Sequence, residues 1–435
     1  MKITVVGTGY VGLPTGLILA ELSHDVICVD RDPAKVEAIA AGRSPIHEPG
    51  TEELLALQLA SGKFRVTTDL AQSVKQSDIV MLAVGTPPGD DGYPNMTELE
   101  AAAREVARAV EGPLLLVTKS TVPVGTGDRL EEIFCEEGVA PGHVQVLSNP
   151  EFLQEGSAIK NSRHPDRILV GAKDKATGDR LAAVYQGLNA PVLVTDRRSA
   201  EMIKYANNCF LATKISFANA LSQLCEASGA DIGEVVRGLG MDSRIGAQFL
   251  SAGLGWGGSC LPKDVSGLLA YGNRVGYDFG LLREAQRVNT RQVGAFLARL
   301  EQALGGYAGK KVALWGLAFK PNTDDVRESK AIEAIQTLRD GGATVIAYDP
   351  VASHNMKQLL PDLNLAGTAA AAAEGADAIL LVTEWPEFAH QDFDAIRTTM
   401  RTPILFDGRR MLISKQLGQQ GWDYQTIGKK PDFVA

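Results

Sequence analysis

Cysteine is scarce and unpaired in pattern: the 435-residue chain has five, and no two of them stand in CxxC spacing. An odd set without that spacing argues against both a disulfide framework and a zinc site at Cys28, Cys135, Cys209, Cys225 and Cys260, and no metal is expected. Long apolar runs are missing too; stretches such as AILLV at 378–382 are much too short to cross a bilayer. The opening MKITVVGTGY lacks the basic start, apolar core and small-residue cleavage site of a secretory signal. A cytoplasmic location with no membrane partner is therefore expected. Basic residues are outnumbered: 43 Lys and Arg against 52 Asp and Glu leave a net charge of -9, which argues against nucleic acid or an anionic lipid surface as a partner. An anionic ligand would need a local cationic pocket. What is present is an ordinary globular composition, 45% hydrophobic and 22% charged, in a chain long enough for two or three domains.

Along the N-terminal part, apolar runs (KITVVG, DVICVD, IVMLAV, LLLVTKS, VQVLSNP, RILVG) alternate with helix-like segments (PTGLILAELS, PAKVEAIAAG, LEAAAREVARAVEG). Continuous Val/Ile/Leu strands separated by amphipathic helices are the signature of a parallel sheet covered on both faces. From Ser199 to about Leu304 the strand pattern stops, and AEMIKYANNCFLATKISFANALSQLCEAS reads as a long helix apolar on nearly every side. A helix tolerates this when it is buried between domains or subunits. After GGYAG the order strand, glycine turn, helix, acid-ended strand returns in KKVALWGLAFK, SKAIEAIQTLRDGG and ATVIAYDP, closing on Asp349. The expected fold is α/β: two Rossmann-like doubly wound domains, 1–198 and 305–435, joined by a long central helix in an all-helical dimerisation region, 199–304.

ITVVGTGYVGLPTGLILA places Gly7, Gly9 and Gly12 between a strand and an apolar helix. The first glycine permits the tight turn, the second lets the backbone approach a pyrophosphate, and the third brings helix and strand together. The anion then lies on the helix N-terminus. Asp30 ends the next strand, eighteen residues after Gly12, where a carboxylate accepts from a ribose 2'-hydroxyl and repels a 2'-phosphate. The expected cofactor is NAD rather than NADP; Arg31 beside Asp30 blurs that preference.

Further strand ends carry AVGTPP with Thr86, KSTVPVGT with Ser120 and Thr121, and NPEFLQEG with Asn149, Glu151 and Glu155. Carboxyl ends of parallel strands border the ligand crevice, although Thr and Pro also make good turns. On the central helix Lys204 and Asn208 share a face at i and i+4. A lysine among Met202, Ile203, Tyr205 and Ala206 needs a partner or must reach past the apolar stripe to water. Finally, GLGWGGSCLPKD sets Cys260 among glycines at 253, 255, 257 and 258 and beside Lys263 and Asp264. Those glycines would let a bulky ligand come close, and the charged neighbours would activate the thiol. Cys28, Cys209 and Cys225 lie in apolar segments, as inert buried cysteines do; the same structural role stays open for Cys260.

Taken together, GTGYVGLPTG, VGTPP, STVPVGT, NPEFLQEG, EMIKYANN, FLSAGLGWGGSCLPKD and LAFKPNTDDVRES, in this order, resemble the UDP-glucose/GDP-mannose dehydrogenase family and within it the UDP-glucose 6-dehydrogenases. The resemblance implies UDP-glucose as substrate, UDP-glucuronate as product, two NAD and one water per turnover, a homodimer through the central helix, and a UDP-sugar-binding C-terminal domain. Oxidising an alcohol to a carboxylate removes four electrons, and NAD accepts one hydride at a time. Cys260 is expected to capture the aldehyde as a thiohemiacetal that becomes a thioester, which water then hydrolyses.

By resemblance, Glu151 activates that water, with the near-neutral pKa that desolvation can give a carboxylate. Lys204 and Asn208 would stabilise oxyanions, and Asp264 would handle protons through a water also held by Thr121. Cofactor contacts implied in the same way are Gly7, Gly9, Tyr10, Val11, Gly12, Asp30, Lys35, Thr86, Thr121, Glu155, Lys263 and Arg327. Implied substrate contacts are Glu151, Phe152, Leu153, Gln154, Glu155, Lys204, Asn208, Phe249, Leu250, Ser251, Ala252, Gly253, Gly257, Lys320 and Arg409. Arg244 matches an arginine that reaches across the dimer. Trp256 departs from the aromatic of phenylalanine size usual in the family, with packing beside Cys260 as the expected consequence.

Three other readings stay open on sequence. GDP-mannose or a UDP-N-acetylhexosamine could be the substrate of the same chemistry, although EFLQEG lacks the arginine usual in the N-acetyl branch. A two-electron dehydrogenase could use Lys204 as base, and a non-catalytic protein could bind NAD or a nucleotide sugar on the same frame.

Overall fold

A computed structural model describes residues 1–429. The chain divides into two compact units, Met1–Asn207 with Ser266–Val275, and Asn208–Val265 with the chain from Gly276 onward.

The first unit is an eight-stranded sheet, in chain order β1 Lys2–Val6, β2 Asp25–Val29, β3 Phe64–Thr67, β4 Ile79–Leu82, β5 Leu114–Thr118, β6 Val144–Ser148, β7 Ile168–Gly171 and β8 Val192–Thr195. Spatial order is β3-β2-β1-β4-β5-β6-β7-β8. Neighbours from β3 to β6 are parallel, and β7 runs antiparallel to β6 through the single pair Ser148↔Gly171. The apolar runs follow from burial on both faces. Ile3, Val26, Cys28, Ile79 and Met81 point into one core layer with Leu13 and Leu17 of the Gly12–Glu21 helix, while Val6, Ile27, Val29, Val80 and Leu82 enter the opposite layer with Val106 and Leu130. With both faces covered, few polar positions remain in the central strands, and Thr4 and Thr118 there satisfy their hydroxyls internally. The edge strands β3 and β8 are more exposed: β3 shows Arg65 to solvent, and β8 shows Val192 and Leu193.

Switch-point loops follow from this order. The carboxyl ends of the adjacent strands β4, β5 and β6 deliver Thr86, Lys119–Thr121 and Asn149–Glu155 side by side.

The second unit holds a six-stranded, fully parallel sheet, ordered β11-β10-β9-β12-β13-β14, with β9 Lys311–Trp315, β10 Thr344–Tyr348, β11 Asn364–Leu365, β12 Ala378–Leu381, β13 Ile404–Asp407 and β14 Asp423–Thr426. Its core is continuous with Ala218 and Cys225 of the Arg197–Ser228 helix and with Val293, Phe296 and Leu300 of the Gly280–Leu304 helix. Asp349, at the position Asp30 holds in the first sheet, accepts from the Leu317 and Ala318 amides at 2.7 and 3.0 Å and from the Trp385 indole at 2.9 Å. Its other oxygen takes the Val351 and Ala352 amides. All of its acceptor capacity is spent inside the fold, which is why the repeated acid marks a structural echo and not a second ribose site.

The Arg197–Ser228 helix runs 32 residues without a break and starts in the first unit. No helix among the described residues is long and apolar enough to cross a membrane.

Candidate active site

The β1 turn meets the requirements of a dinucleotide cradle. Gly7 has φ +99°, a value that disfavours any side chain, and a Cβ on Gly12 would lie 1.9 Å from the Gly7 carbonyl oxygen. Asp30 accepts from the Thr8 amide at 2.9 Å and the Thr8 hydroxyl at 2.5 Å, and its second oxygen takes the Asp32 amide at 3.1 Å. Burial pushes its carboxyl up, but these bonds and the charge of Lys35 outweigh it and hold the group below the ordinary aspartate range. Asp30 is thus an ionised acceptor at the mouth of the glycine turn, which fits a ribose diol. Arg31 turns away to Glu98, at 2.6 Å. Tyr10, Val11 and Lys35 flank the same turn.

Thr86 and Thr121 meet directly: the Thr86 hydroxyl donates to the Thr121 carbonyl at 2.8 Å, so Thr86 pins the KSTVPVGT loop. Glu201 holds that loop from below, accepting from the Gly125 and Gly127 amides at 2.7 and 2.9 Å, and burial lifts its carboxyl to about 7.

Glu151 and Lys204 form a buried ion pair, Nζ to Oε1 3.0 Å, with side-chain exposures of 7% and 3%. The partner that a lysine on an apolar helix requires is therefore a carboxylate 53 residues away in sequence. Burial alone would push Glu151 up. The Lys204 charge and hydrogen bond, the Leu153 amide and the Lys119 charge together hold it below the usual carboxylate range. The near-neutral value expected for Glu151 is not what the resting pair has, because desolvation meets two cations. Glu155, Gln154, Leu153 and Phe152 continue the loop, and the Arg167 guanidinium covers the Phe152 ring at 3.8 Å. Glu48 anchors the far end, accepting from the Gly156 and Ala158 amides at 2.6 Å each.

In the second unit a different set converges. Asp264, fully buried, accepts from the Asn208 side-chain amide at 2.6 Å and from Lys263 Nζ at 2.5 Å, and its own amide donates to the Cys260 carbonyl at 2.9 Å. Cys260 immediately precedes the Leu261–Arg274 helix and is partly exposed, with the Ser259 hydroxyl 3.6 Å from its sulfur. Cys28 and Cys209 are buried, and desolvation pushes both thiols far up, as inert core cysteines require.

The glycines before Cys260 are needed by the protein itself. A Cβ on Gly257 would stand 2.1 Å from the Glu328 carbonyl oxygen, and one on Gly255 2.5 Å from Asn289 Oδ1. On their Cβ sides Gly255 and Gly257 are thus packed against the chain itself. Trp256 likewise faces the helices: its indole donates to Ser216 at 2.9 Å and its amide to Asn289 at 2.7 Å.

The Phe249–Gly253 run contains Phe249 at φ +63°, exposed Ser251, and buried Leu250 and Ala252. It is tied down at Gly253, whose amide donates to Asn219 at 2.8 Å and whose carbonyl accepts from Gln292 at 2.9 Å. Arg409, at the end of β13, donates to the Val382 carbonyl at 2.6 Å and the Gly255 carbonyl at 3.3 Å. Arg327 pairs with Asp325 at 2.7 Å, Lys320 lies 5.4 Å from the Phe319 ring, and Arg244 is exposed and pairs with Asp242 at 2.6 Å.

Lys119, Arg167, Tyr185, Glu48 and Glu201 were not singled out from the sequence. A signal was available at Lys119, a lysine that directly follows the mostly apolar strand LLLVT.

Three domains match one family along the chain: the NAD binding domain over residues 1–189, the central domain over 198–291 and the UDP binding domain over 313–414. The chain is 44% identical over 431 residues to a UDP-glucose 6-dehydrogenase of Bacillus subtilis, covering 99% of this chain and 98% of the relative. Its fold superposes on the structure of a UDP-glucose dehydrogenase from Pyrobaculum islandicum with a TM-score of 0.90 at 39% identity, covering 95% of each chain. A UDP-D-ManNAc dehydrogenase from Pyrococcus horikoshii is similar at 28% identity, TM-score 0.88 and 99% of each chain. From the glycine cradle to the last strands, the chain belongs to the UDP-glucose/GDP-mannose dehydrogenase family.

Proposed function

We propose that this chain oxidises UDP-glucose at C6 to UDP-glucuronate, with two NAD and one water consumed per turnover. The observation that carries the reading is the setting of Cys260, which stands partly exposed at a helix start beside the Lys263–Asp264–Asn208 cluster, while Cys28 and Cys225 lie in apolar cores, Cys209 is buried with its thiol on the Asp264 carbonyl, and Cys135 is exposed on the Thr126–Glu136 helix. The relative that is 44% identical over nearly its full length supports the choice of sugar.

NAD, cradled by the Gly7–Gly12 turn and Asp30, supplies the oxidising power by accepting one hydride in each of two oxidations. The chain's own residues do the rest. Cys260 sulfur adds to the C6 aldehyde, its proton passing to the new hydroxyl, and the thiohemiacetal keeps the aldehyde from escaping. Amide N–H groups at the start of the following helix favour the anion that forms there. After the second oxidation the carbon is a thioester; water adds as Glu151 takes one of its protons, and the C–S bond then breaks with that proton returned to the departing sulfur, releasing the carboxylic acid and the thiol.

Lys204 serves both ends of this step. As negative charge grows on the C6 oxygen the ammonium follows it, and Glu151, losing its counter-ion, becomes a stronger base. Asn208 donates to the same oxygen, and Asp264, which already holds Asn208 and Lys263, orients both. Thr121 joins Asp264 in holding a water for proton transfer. Tyr10, Val11, Lys35, Thr86, Glu155, Lys263 and Arg327 complete the cofactor contacts. Phe152–Glu155, Phe249–Gly253, Gly257, Lys320 and Arg409 hold the nucleotide sugar.

The functional division is residues 1–198 for NAD, 199–304 for dimerisation and 305–435 for the UDP-sugar. Phe210, Phe217 and Leu224, seven residues apart on the central helix, are 65%, 54% and 65% exposed in the single chain. An apolar stripe of that kind supports a homodimer through this helix, in which Arg244 reaches the partner's sugar. The enzyme works in the cytoplasm. A panel of UDP-glucose, GDP-mannose and UDP-N-acetylhexosamines with NAD tests the reading: two NADH per sugar are expected with UDP-glucose. One NADH with a released aldehyde or ketone would overturn it in favour of a two-electron dehydrogenase, and NAD binding without turnover of any sugar in favour of a binding protein.

A further inference from the structure

Behind the Glu151 loop the first unit carries a solvent-connected pocket of about 120 Å³ lined in part by Lys119, Asn149, Glu151, Arg167 and Tyr185. Its walls are part polar and part apolar, and it has room for water. Lys119, from the end of β5, and Lys204, from the Arg197–Ser228 helix, face one carboxylate, Glu151. Lys119 Nζ donates to Asn149 Oδ1 at 2.9 Å and stands 3.4 Å from the Tyr185 hydroxyl, which itself donates to Asn149 Oδ1. The Asn149 amide is in turn fixed on the Leu169 carbonyl at 2.7 Å. His164, Asp166 and Arg167 line the same pocket, with Arg167 committed to the Phe152 ring and to Asn207 at 2.8 Å.

Closing a strand of sequence LLLVT does not call for an ammonium, and an apolar side chain would avoid its desolvation. That desolvation is felt: burial draws the Lys119 ammonium down to about 8. The group is charged wherever Glu151 titrates, and its orientation is fixed by Asn149 and Tyr185.

We propose that Lys119 is a positioning residue of the hydrolytic half-reaction, the second cation that keeps Glu151 ionised while Lys204 follows the charge on the sugar oxygen. The inference rests on the reading of Glu151 as the base. Without Lys119, Glu151 would take up a proton as soon as Lys204 shifted, and the thioester would wait. The first oxidation does not need Glu151 and should be spared.

The test is Lys119→Met, of similar length and without charge, turned over with UDP-glucose and NAD between pH 5.5 and 9 while intact mass follows the enzyme. The expected result is that the acid limb of kcat moves up by about one pH unit, the size of effect that one nearby opposite charge exerts. kcat should fall about tenfold at pH 6 with little change in KM, the covalent adduct should dominate at that pH, and Lys119→Arg should restore the limb. A loss equal at all pH values and without adduct, or no loss at all, would overturn the inference. Should Lys119→Met lack the native circular dichroism, Lys119→Gln is read by the same criteria. Glu151→Gln separates the two claims: if it accumulates no adduct, the base assignment fails, whereas adduct in Glu151→Gln but not in Lys119→Met removes only the role of Lys119.

Discussion

Replacing Lys204 by methionine leaves the Glu151 carboxylate buried and deprived of the ammonium 3.0 Å away. At an effective dielectric of about 20, two unit charges at that distance attract by roughly 5 kcal/mol. The Leu153 amide and the Lys119 charge remain, so the loss should fall at the lower end of the ~3–5 kcal/mol seen when buried pairs are broken from one side. At pH 7 about 3 kcal/mol is expected. The sign with pH follows from the two states. In the parent, Glu151 titrates below its unfolded value, so its stabilisation is present above about pH 4.3 and lost as pH falls through the folded value.

In the variant desolvation dominates, the folded value rises above the unfolded one, and the penalty is full at high pH and fades as pH falls. The gap between variant and parent should therefore narrow by at least half between pH 7 and pH 5. All four tryptophans, Trp256, Trp315, Trp385 and Trp422, belong to the second unit, so tryptophan emission would not register the change. Hydrogen exchange of the β5 and β6 amides does. The double variant Lys204→Met/Glu151→Gln, with no charge left in the pair, should recover most of the loss. A deficit below about 1 kcal/mol, equal at pH 5 and pH 7, would refute this electrostatic reasoning.

Two further substitutions probe the cradle and the cysteine loop. Asp30→Ala removes an ionised acceptor worth about 1.5–3 kcal/mol in hydrogen bonds, so KM for NAD should rise on the order of 10- to 100-fold while discrimination against NADP shrinks; steady-state kinetics with both cofactors check it. Gly257→Ala drives a methyl group to 2.1 Å from the Glu328 carbonyl and should cost about 1–3 kcal/mol with loss of turnover. Gly238→Ala, at a helical position with nothing within 4 Å, should stabilise by about 0.5–1 kcal/mol in the same thermal scan.

The fold was legible wherever burial on both faces forced an unbroken apolar run. KITVV, DVICV, IVML, LLLVT and VQVLS announce the central strands; of the edge strands, FRVT is broken by exposed Arg65, and VLVT exposes Val192 and Leu193 and so is not marked by burial on both faces. The glycine turn and Asp30 could be read because both obey local geometry within thirty residues. Lys204 could be flagged as a lysine in need of a partner, but the partner's identity is a tertiary fact, and with it goes the direction of the Glu151 shift. The glycines around Trp256 could be flagged from their density, but the reason for Gly255 and Gly257, the close approach of Asn289 and Glu328, is tertiary. The acid of the second sheet, Asp349, has the right position for a nucleotide contact and no acceptor capacity left to make one.

The most direct test of covalent capture at carbon six is the Cys260→Ser enzyme mixed with NAD and an excess of UDP-glucose, with NADH counted per active site from the first milliseconds to an hour. Covalent capture by sulfur predicts a stop after about one oxidation cycle, with NAD affinity unchanged. Steady-state turnover at the parent rate, with two NADH per sugar, would contradict it.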